Sequence, residues 1–529
     1  MTRISLSALL LAVLAGVSPC APGVAHEGDA IGTFDISAYE LSGNTELNPK
    51  LVAHLLRRYT GPKRTFSDVE HAVAALEHAF HDRGFALTKV RLPEQELAHG
   101  IVRLIVVESK LGAVEIRGNT HHSKKNILAS LPGLQHGRDL NTTIVSQNLE
   151  QANQNPSKFE ELRLQTSTEA GTIDALVTVR DQKPWTVNVT FDNEGLAATG
   201  RDQVTTQFQY ANLWGLDHTL SLQYTTALED PHKISVYGVG YHIPLYQLDD
   251  SIDVYSSYSN IAAGTINAGL FDLQVSGAGE VYGVRYTHPL STIGGYSSQL
   301  FGGLDHKVFR NSIELDTLQL GGDVTVNPLN FGYQGQWTKG ANSANASITA
   351  VHNAPAQGAQ VENFTAARAQ SSPNYSLLRY SGALAHTFSS EWQLRSTFTG
   401  QATRDALIPG EQFGLGGETS IRALSVRELS NDRGVSGNLE LWTPSLCTRL
   451  LGGATRCQAL AFVDDGYASR NHALPDEQAH VRVSSAGVGL RVYVTRRATI
   501  TADYGHVVSA SDTSLAGEQR LNLSLGLSF

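Results

Sequence analysis

From Pro184 to Phe529 the chain consists of segments of about ten residues in which apolar side chains alternate with polar or small ones. Val187, Val189 and Phe191 alternate with Thr186, Asn188 and Thr190; Val204, Thr206, Phe208 and Tyr210 alternate with Thr205, Gln207 and Gln209. In the last segment Leu521, Leu523, Leu525, Leu527 and Phe529 share one face, and Asn522, Ser524, Gly526 and Ser528 share the other. A period of two predicts strands. Soluble sandwiches alternate too, but three observations favour a barrel in a membrane. The second face carries Thr, Ser, Gln, Asn and Gly where a packed core needs large apolar groups, which suits a wet lumen. Tyr224, Tyr237, Tyr241, Tyr255 and Tyr258 fall where interfacial aromatic girdles form, and an aromatic residue, Phe529, ends the chain as outer-membrane assembly signals do. About 345 residues at about twenty-one per strand and connection predict about sixteen antiparallel strands, an even number that leaves an open channel on closure.

Before Pro184 the pattern changes to that of helices among short strands, and it repeats. YELSGNTELNPKLVAHLL from Tyr39 and VEIRGNTHHSKKNILASL from Val114 are offset by roughly 75 residues. The repeats predict two α+β domains, 34–110 and 111–182, ahead of the barrel, 184–529, and each reads β-α-α-β-β. In the first, Asn48 and Pro49 open a helix, and Ser67 to Glu70 form a capping box for a second helix that ends at Gly84. Strands are predicted over Ala86–Leu92 and Ile101–Glu108. The second domain has a strand near Val114–Arg117, helices over Lys124–Ser130 and Thr142–Ala152, and strands over Phe159–Leu164 and Asp174–Val179. Such a unit leaves a sheet edge that either takes an added peptide strand or is a plain spacer.

The amino terminus supplies the compartment. Arg3, the apolar run Leu6–Val17 and the small residues Gly23, Val24 and Ala25 read as a signal peptide, 1–25, so the mature chain is exported. No later run has the eighteen or so apolar residues of a spanning helix, so any insertion must use strands. A net charge of −10 does not point to nucleic acid. Cys447 and Cys457, the even pair of the mature chain, predict a disulfide across a short turn. His71, His78, His81, His121 and His122 lack the carboxylates or thiols that would complete a metal set, so neither metal nor cofactor is predicted. No nucleophile, base and oxyanion donors converge in the motifs, which makes an enzyme the weakest class.

The most distinctive stretch is FGLGGETSIRAL, Phe413 to Leu424, inside a loop of about thirty residues (404–435) without a strand or helix pattern of its own. FVDDG, Phe462 to Gly466, follows on the next strand but one. Gly416 and Gly417 make the loop pliable, and Arg422 either docks bidentately on Asp464 in the lumen or is a solvated surface arginine.

With these residues in view, the mature chain resembles the outer-membrane transporters of two-partner (type V) secretion, the haemolysin and filamentous haemagglutinin secretion proteins of the Omp85 group. GFALTKVRLPEQELAHGIVRLIVVES is similar to their first periplasmic POTRA domain, with Gly84, Phe85, Pro93, Gln95, Gly100 and Glu108 at motif positions. FDNEGLAATG with ANLWGLDHTLSLQYTT resembles the opening barrel strands, and EQFGLGGETSIRAL with GNLELWTP the in-folded sixth loop and next strand. The resemblance implies a loop-tip arginine at Arg422 and a barrel-wall motif at Phe462, Asp464 and Gly466. It also implies an unfolded exoprotein with a TPS domain as client, outer-membrane lipid around the barrel, assembly machinery during biogenesis, and export without ATP. Two departures stand out. The family's Arg-Gly-aromatic tip is Arg422-Ala423-Leu424, which puts the tip conformation in question. Between His26 and Phe34 there is no room for a plug helix, so a leakier resting channel is expected. A barrel-assembly insertase and a passive porin or receptor are the alternatives.

Overall fold

The computed structural model describes residues 32–529 apart from 45, 170, 196–199, 262–263, 268–271, 276–277, 311–312, 316–317, 321, 356–360, 448–454 and 496. The predicted signal peptide and the stretch expected to lack a plug helix lie outside the described residues, except for the last few positions before Phe34. The chain divides into two compact units, 1–108 and 109–529.

In the first unit Ala38–Ser42 runs parallel to Ile101–Val107, whose other edge pairs antiparallel with Lys89–Arg91. Helices Pro49–Leu56 and Phe66–His81 complete a core of Ile36, Leu76, Phe80 and Leu104. The Asn48 side chain caps the first helix as expected, accepting from the Lys50 amide at 2.9 Å. The second cap differs from expectation. Thr65 and Asp68, not Ser67 and Glu70, form the box, with the Thr65 amide donating to Asp68 Oδ2 at 2.8 Å. Gly61–Arg64 pairs with Phe34–Ile36 and delivers the chain to Thr65, so the helix starts at Phe66 and Ser67 is already inside it. This additional strand also departs from a plain β-α-α-β-β order. The strand expected over Ala86–Leu92 shrinks to Lys89–Arg91, because Phe85 turns back onto Phe80 and Thr88 onto Phe85.

In the second unit Thr172–Asp181 lies between Lys110–Arg117 and Lys158–Thr166, with helices Lys124–Ser130 and Thr142–Ala152 packed beside the sheet. From Trp185 to Ser528 sixteen antiparallel strands close a barrel, the eighth being interrupted at Asn327. Closure pairs Leu525 with Phe191 and Leu527 with Val189, over five register pairs against seven to fifteen at the other seams. The Phe529 amide donates to Val187 O at 2.9 Å, so the terminal aromatic residue extends that short seam. Closure leaves no strand edge in hydrocarbon, where an unpaired backbone group is costly. Alternation sets the faces: Leu521 and Leu523 are 50% and 45% exposed on the outer wall, whereas Asn522, at 4%, is buried inside. Tyr224, Tyr237 and Tyr258 form an outward ladder, with neighbouring ring centroids 5.0 and 6.1 Å apart. Tyr255 is not part of that girdle. It points into the lumen, where its hydroxyl bonds Asp305, because it falls on the opposite parity from Val254. Among the described residues no helix is long and apolar enough to cross a membrane.

The helical domain of this unit sits on the barrel turns at the end where the chain enters. Asn155 Nδ2 donates to Ala211 O at 2.6 Å, Asn126 Nδ2 to Gly215 O at 3.0 Å, and Gln151 Nε2 to Asp250 O at 2.6 Å. Lys158 Nζ lies 2.7 Å from both Glu160 and Asp217, and Tyr246 donates to Asp217 at 2.8 Å. His122 is a structural member of this cluster, bonded to Asn126 and Ser157. Burial pushes the Glu160 carboxyl up. At Asp217 burial acts the same way, but His122 and Lys158 outweigh it and hold the group below its ordinary value.

On the next turn, burial and then Asp250 and Glu150 raise Asp249 to about 6. An acid whose pKa is raised by folding destabilises the fold only when ionised. The penalty therefore grows as pH rises from the unfolded value, about 4, and is complete above the folded value. Asp249→Asn is expected to stabilise the protein by about 1 kcal/mol at neutral pH, allowing for screening of a half-exposed group, and to do nothing below about pH 4. Thermal unfolding midpoints of the two proteins at both pH values check this.

Candidate functional site

The chain leaves the barrel wall at Thr403, returns at Arg433, and between them folds into the lumen. The loop has some structure of its own, contrary to the sequence expectation. Pro409–Glu411 is a single 3-10 turn, and Phe413–Leu415 pairs with Leu429–Asn431 as a short hairpin. Both pieces are too short to leave a periodic signal. Gly416 and Gly417, at φ of 112° and 95°, turn the chain out of the hairpin towards the tip, a conformation other residues rarely adopt.

At the tip Arg422 is 2% exposed. Its Nη2 lies 2.7 Å from Asp464 Oδ1, its Nε 3.3 Å from Asp464 Oδ2, and its backbone amide 3.1 Å from the same oxygen. Nη1 reaches Glu440 Oε1 at 2.6 Å, and the guanidinium stacks 3.4 Å from the Phe462 ring centroid. The solvated alternative is thereby excluded. Asp464 is in turn held by Asn438 Nδ2 at 2.7 Å and Ser485 Oγ at 2.9 Å. Period-two alternation explains the constellation: Phe462, Asp464 and Gly466 lie on the lumen face of one strand, and Asn438 and Glu440 on that of its neighbour. A side chain at Gly466 would stand 2.9 Å from Leu415, so its bareness lets the loop's apolar side reach the wall. The Arg-Ala-Leu tip does not require a glycine, since Ala423 is absent from the positive-φ residues and packs at 2% exposure over Gly505.

Sequence reasoning missed several members. Arg491 forms a bidentate pair with Asp503 at 2.7 and 2.6 Å, and Asp503 lies 3.9 Å from Arg422 Nη1. Asn522 Nδ2 donates to Arg422 O at 2.9 Å. Near the loop's beginning the fully buried Glu411 sits between Lys307 at 3.0 Å and Arg379 at 2.8 Å. The signal that could have found them is a charged residue on lumen parity within an otherwise small and polar face. A cavity of about 610 Å³ remains beside the loop, lined among others by Thr190, Gln223, Lys307, Arg379 and Arg427.

The other residues singled out lie apart from this site. Cys447 and Cys457 form a disulfide, the second cysteine lying on the strand that carries Asp464. In the first unit Gly84 ends the helix at φ 92°, and Phe85 packs on the core. Gln95, just past Pro93, accepts from the Arg103 amide at 2.7 Å and donates to its carbonyl at 2.8 Å, standing in for a strand beyond the end of Lys89–Arg91. Gly100 turns into the strand Ile101–Val107 at φ 73°, and Glu108 directly follows that strand.

The family of haemolysin secretion/activation proteins ShlB/FhaC/HecB matches residues 171–492, and the ShlB-type POTRA domain matches residues 34–109. The outer membrane transporter CdiB of Dickeya dadantii (strain 3937) is 22% identical over 469 residues, covering 84% of this chain and 78% of that protein. The hemolysin transporter protein ShlB of Serratia marcescens is 25% identical over 510 residues, 88% and 87% of the two chains. The solved structure of CdiB from Escherichia coli superposes with a TM-score of 0.76 at 19% identity, over 96% of this chain and 93% of the other. BamA from Haemophilus ducreyi lacking POTRA domains 1–3 superposes at 0.53 with 14% identity, over 94% and 100% of the two chains, a likeness of fold alone. Barrel, periplasmic domains and family match agree: the chain belongs to the ShlB/FhaC/HecB family of haemolysin secretion/activation proteins, outer-membrane transporters of two-partner secretion whose POTRA domains lie in the periplasm.

Proposed function

We propose that this transporter receives one unfolded exoprotein with a TPS domain by strand addition to its POTRA domains and passes it through the barrel without ATP, acting as a conduit and not as a catalyst. The observation that carries this reading is the buried Arg422–Asp464 contact, which holds a loop in the lumen that an extended client must share. A guanidinium stacked on Phe462 and bonded to two carboxylates stabilises the resting or the active arrangement of the loop. Loop movement then clears the path, and folding of the client outside supplies direction. During biogenesis the Phe529 end is the natural signal for assembly machinery.

The receiving edge in the second unit is the outer half of Lys158–Thr166, which among the described residues pairs only with Thr172–Asp181. Asn153 covers Glu160 on the free side, accepting from its amide at 2.6 Å and donating to its carbonyl at 2.9 Å. Antiparallel alternation then turns the backbone groups of Leu162 and Leu164 outward as well. Leu164 is 37% exposed, and the side chains of Arg163 and Gln165 are exposed too. A client strand would take up these outward groups.

Arg422→Ala leaves Asp464 and Glu440 without their cation and is expected to lower secretion at least about tenfold with the barrel still inserted, since breaking a buried pair costs about 3–5 kcal/mol. Gly505→Val should act alike, because a Cβ there stands 3.0 Å from the Ala423 amide and displaces the tip. Client in the medium, normalised to heat-modifiable barrel in the outer membrane, is the measurement. Unchanged secretion in both variants would remove the proposed role of the loop tip. Leu164→Pro deletes one outward N–H without touching the internal ladder, and should weaken capture of the client's secretion domain by the purified transporter. Leu164→Ala keeps the N–H and should bind as the parent does. Equal binding by all three excludes this edge.

A further inference from the structure

We propose that Arg368 and Asp432 form a second latch, at the extracellular mouth, which positions the neck of the in-folded loop and releases when the loop moves. The inference rests on the reading that the loop moves during export. The strands alternate in direction from the periplasmic side, so 354–374, 404–432 and 470–479 all connect strands at the outer end. Asp432 is fully buried and gathers both ends of the loop. Its Oδ1 accepts from the Leu407 amide at 2.8 Å and from Gln412 Nε2 at 3.4 Å, while its Oδ2 accepts from the Asn471 amide at 2.6 Å. Arg368, 9% exposed, supplies the countercharge from a different loop. Its Nη1 pairs with Asp432 and reaches Leu407 O at 3.3 Å, and its Nη2 donates to Asn471 O at 2.8 Å. One guanidinium thus joins three extracellular connections around one carboxylate.

The packing supports a strap over the neck. The helix Val361–Ala367 precedes Arg368 and buries Phe364 in an apolar cluster with Phe309, Val324, Val326, Tyr375 and the neck residues Leu407 and Ile408. Ser371 Oγ donates to Phe364 O at 2.6 Å and to Arg368 O at 2.9 Å, fixing the chain that presents the arginine. Asn471 Nδ2 donates to Thr403 O at 3.1 Å and Asp405 O at 2.9 Å, where the loop leaves the wall. The Arg422 contact holds the tip within the lumen, and the Arg368 contact holds the base at the exit. Freeing the tip alone leaves the neck across the mouth, so both must yield for a client to pass. In a site closed to water, removing Arg368 leaves a buried charge that is relieved only if water enters and the neck opens.

The test compares Arg368→Ala, Arg368→Lys and Arg422→Ala as full-length transporters in planar bilayers. Arg368→Ala is expected to raise the frequency of opening events at least about fivefold, and Arg368→Lys, which keeps the cation, to return most of the way to the parent. Spin labels at Glu362→Cys and Asp476→Cys should give one narrow distance in the otherwise unaltered protein, broadened by Arg368→Ala. If Arg422→Ala changes conductance while Arg368→Ala changes neither readout, the latch is refuted and loop gating stands. If Arg422→Ala and Arg368→Ala both leave conductance unchanged, the gating reading falls, and the latch with it. A broad or two-peaked distance in the labelled parent overturns the latch even if Arg368→Ala does not reach the membrane.

Discussion

A guanidinium taken out of water must be met by charge and by hydrogen-bond acceptors, and the interior of this barrel is arranged around that demand. Arg422 uses its backbone amide, Nε and both terminal nitrogens on Asp464 and Glu440, and lays its flat face on Phe462. Desolvation of such a group is unfavourable by several kcal/mol, so a partial set of partners would expel the loop. The set is complete because Asn438 and Ser485 hold the Asp464 carboxylate while the arginine binds it. A loop held in this way is fixed in the lumen by a small number of groups.

The strands behind the tip make this economical. In a barrel every second residue faces inward, so five adjacent strands from Arg433 to Ser528 each offer inward positions around the loop tip. Glu440, Asp464, Ser485, Asp503 and Asn522 occupy such positions, one per strand, and glycines 466 and 505 leave room where loop backbone and side chains press on the wall. The opposite wall contributes Lys307 and Arg379 to Glu411 near the loop's start, leaving the cavity between. At the periplasmic end buried Lys158, Glu160, Asp217 and His122 bind the second POTRA-like domain to the turns, so that domain and barrel form one unit, while residues 1–108 form another.

The alternating pattern made strands and faces legible because a period of two survives in any sequence that has one wet and one greasy side. It also placed Phe462, Asp464 and Gly466 on a common face. Parity cannot be read where both faces carry aromatics, which is why Tyr255 reads as a girdle tyrosine although it bonds Asp305 inside. Caps are similarly ambiguous when two boxes overlap: Thr65–Asp68 and Ser67–Glu70 both fit, and the preceding strand chose between them.

The sequence by itself determined the repeated domains, the barrel, the lumen face and the candidacy of Arg422 and Asp464, because each is a local period or motif carried by neighbouring residues. Only the tertiary structure decided that the arginine is buried, that Glu440, Asp503 and Asn522 join it, that Ala423 needs no glycine's freedom, and that Arg368 meets Asp432. These contacts link residues 18 to 100 positions apart across strands and loops. Their register follows from how sixteen strands close on themselves, which no local pattern encodes.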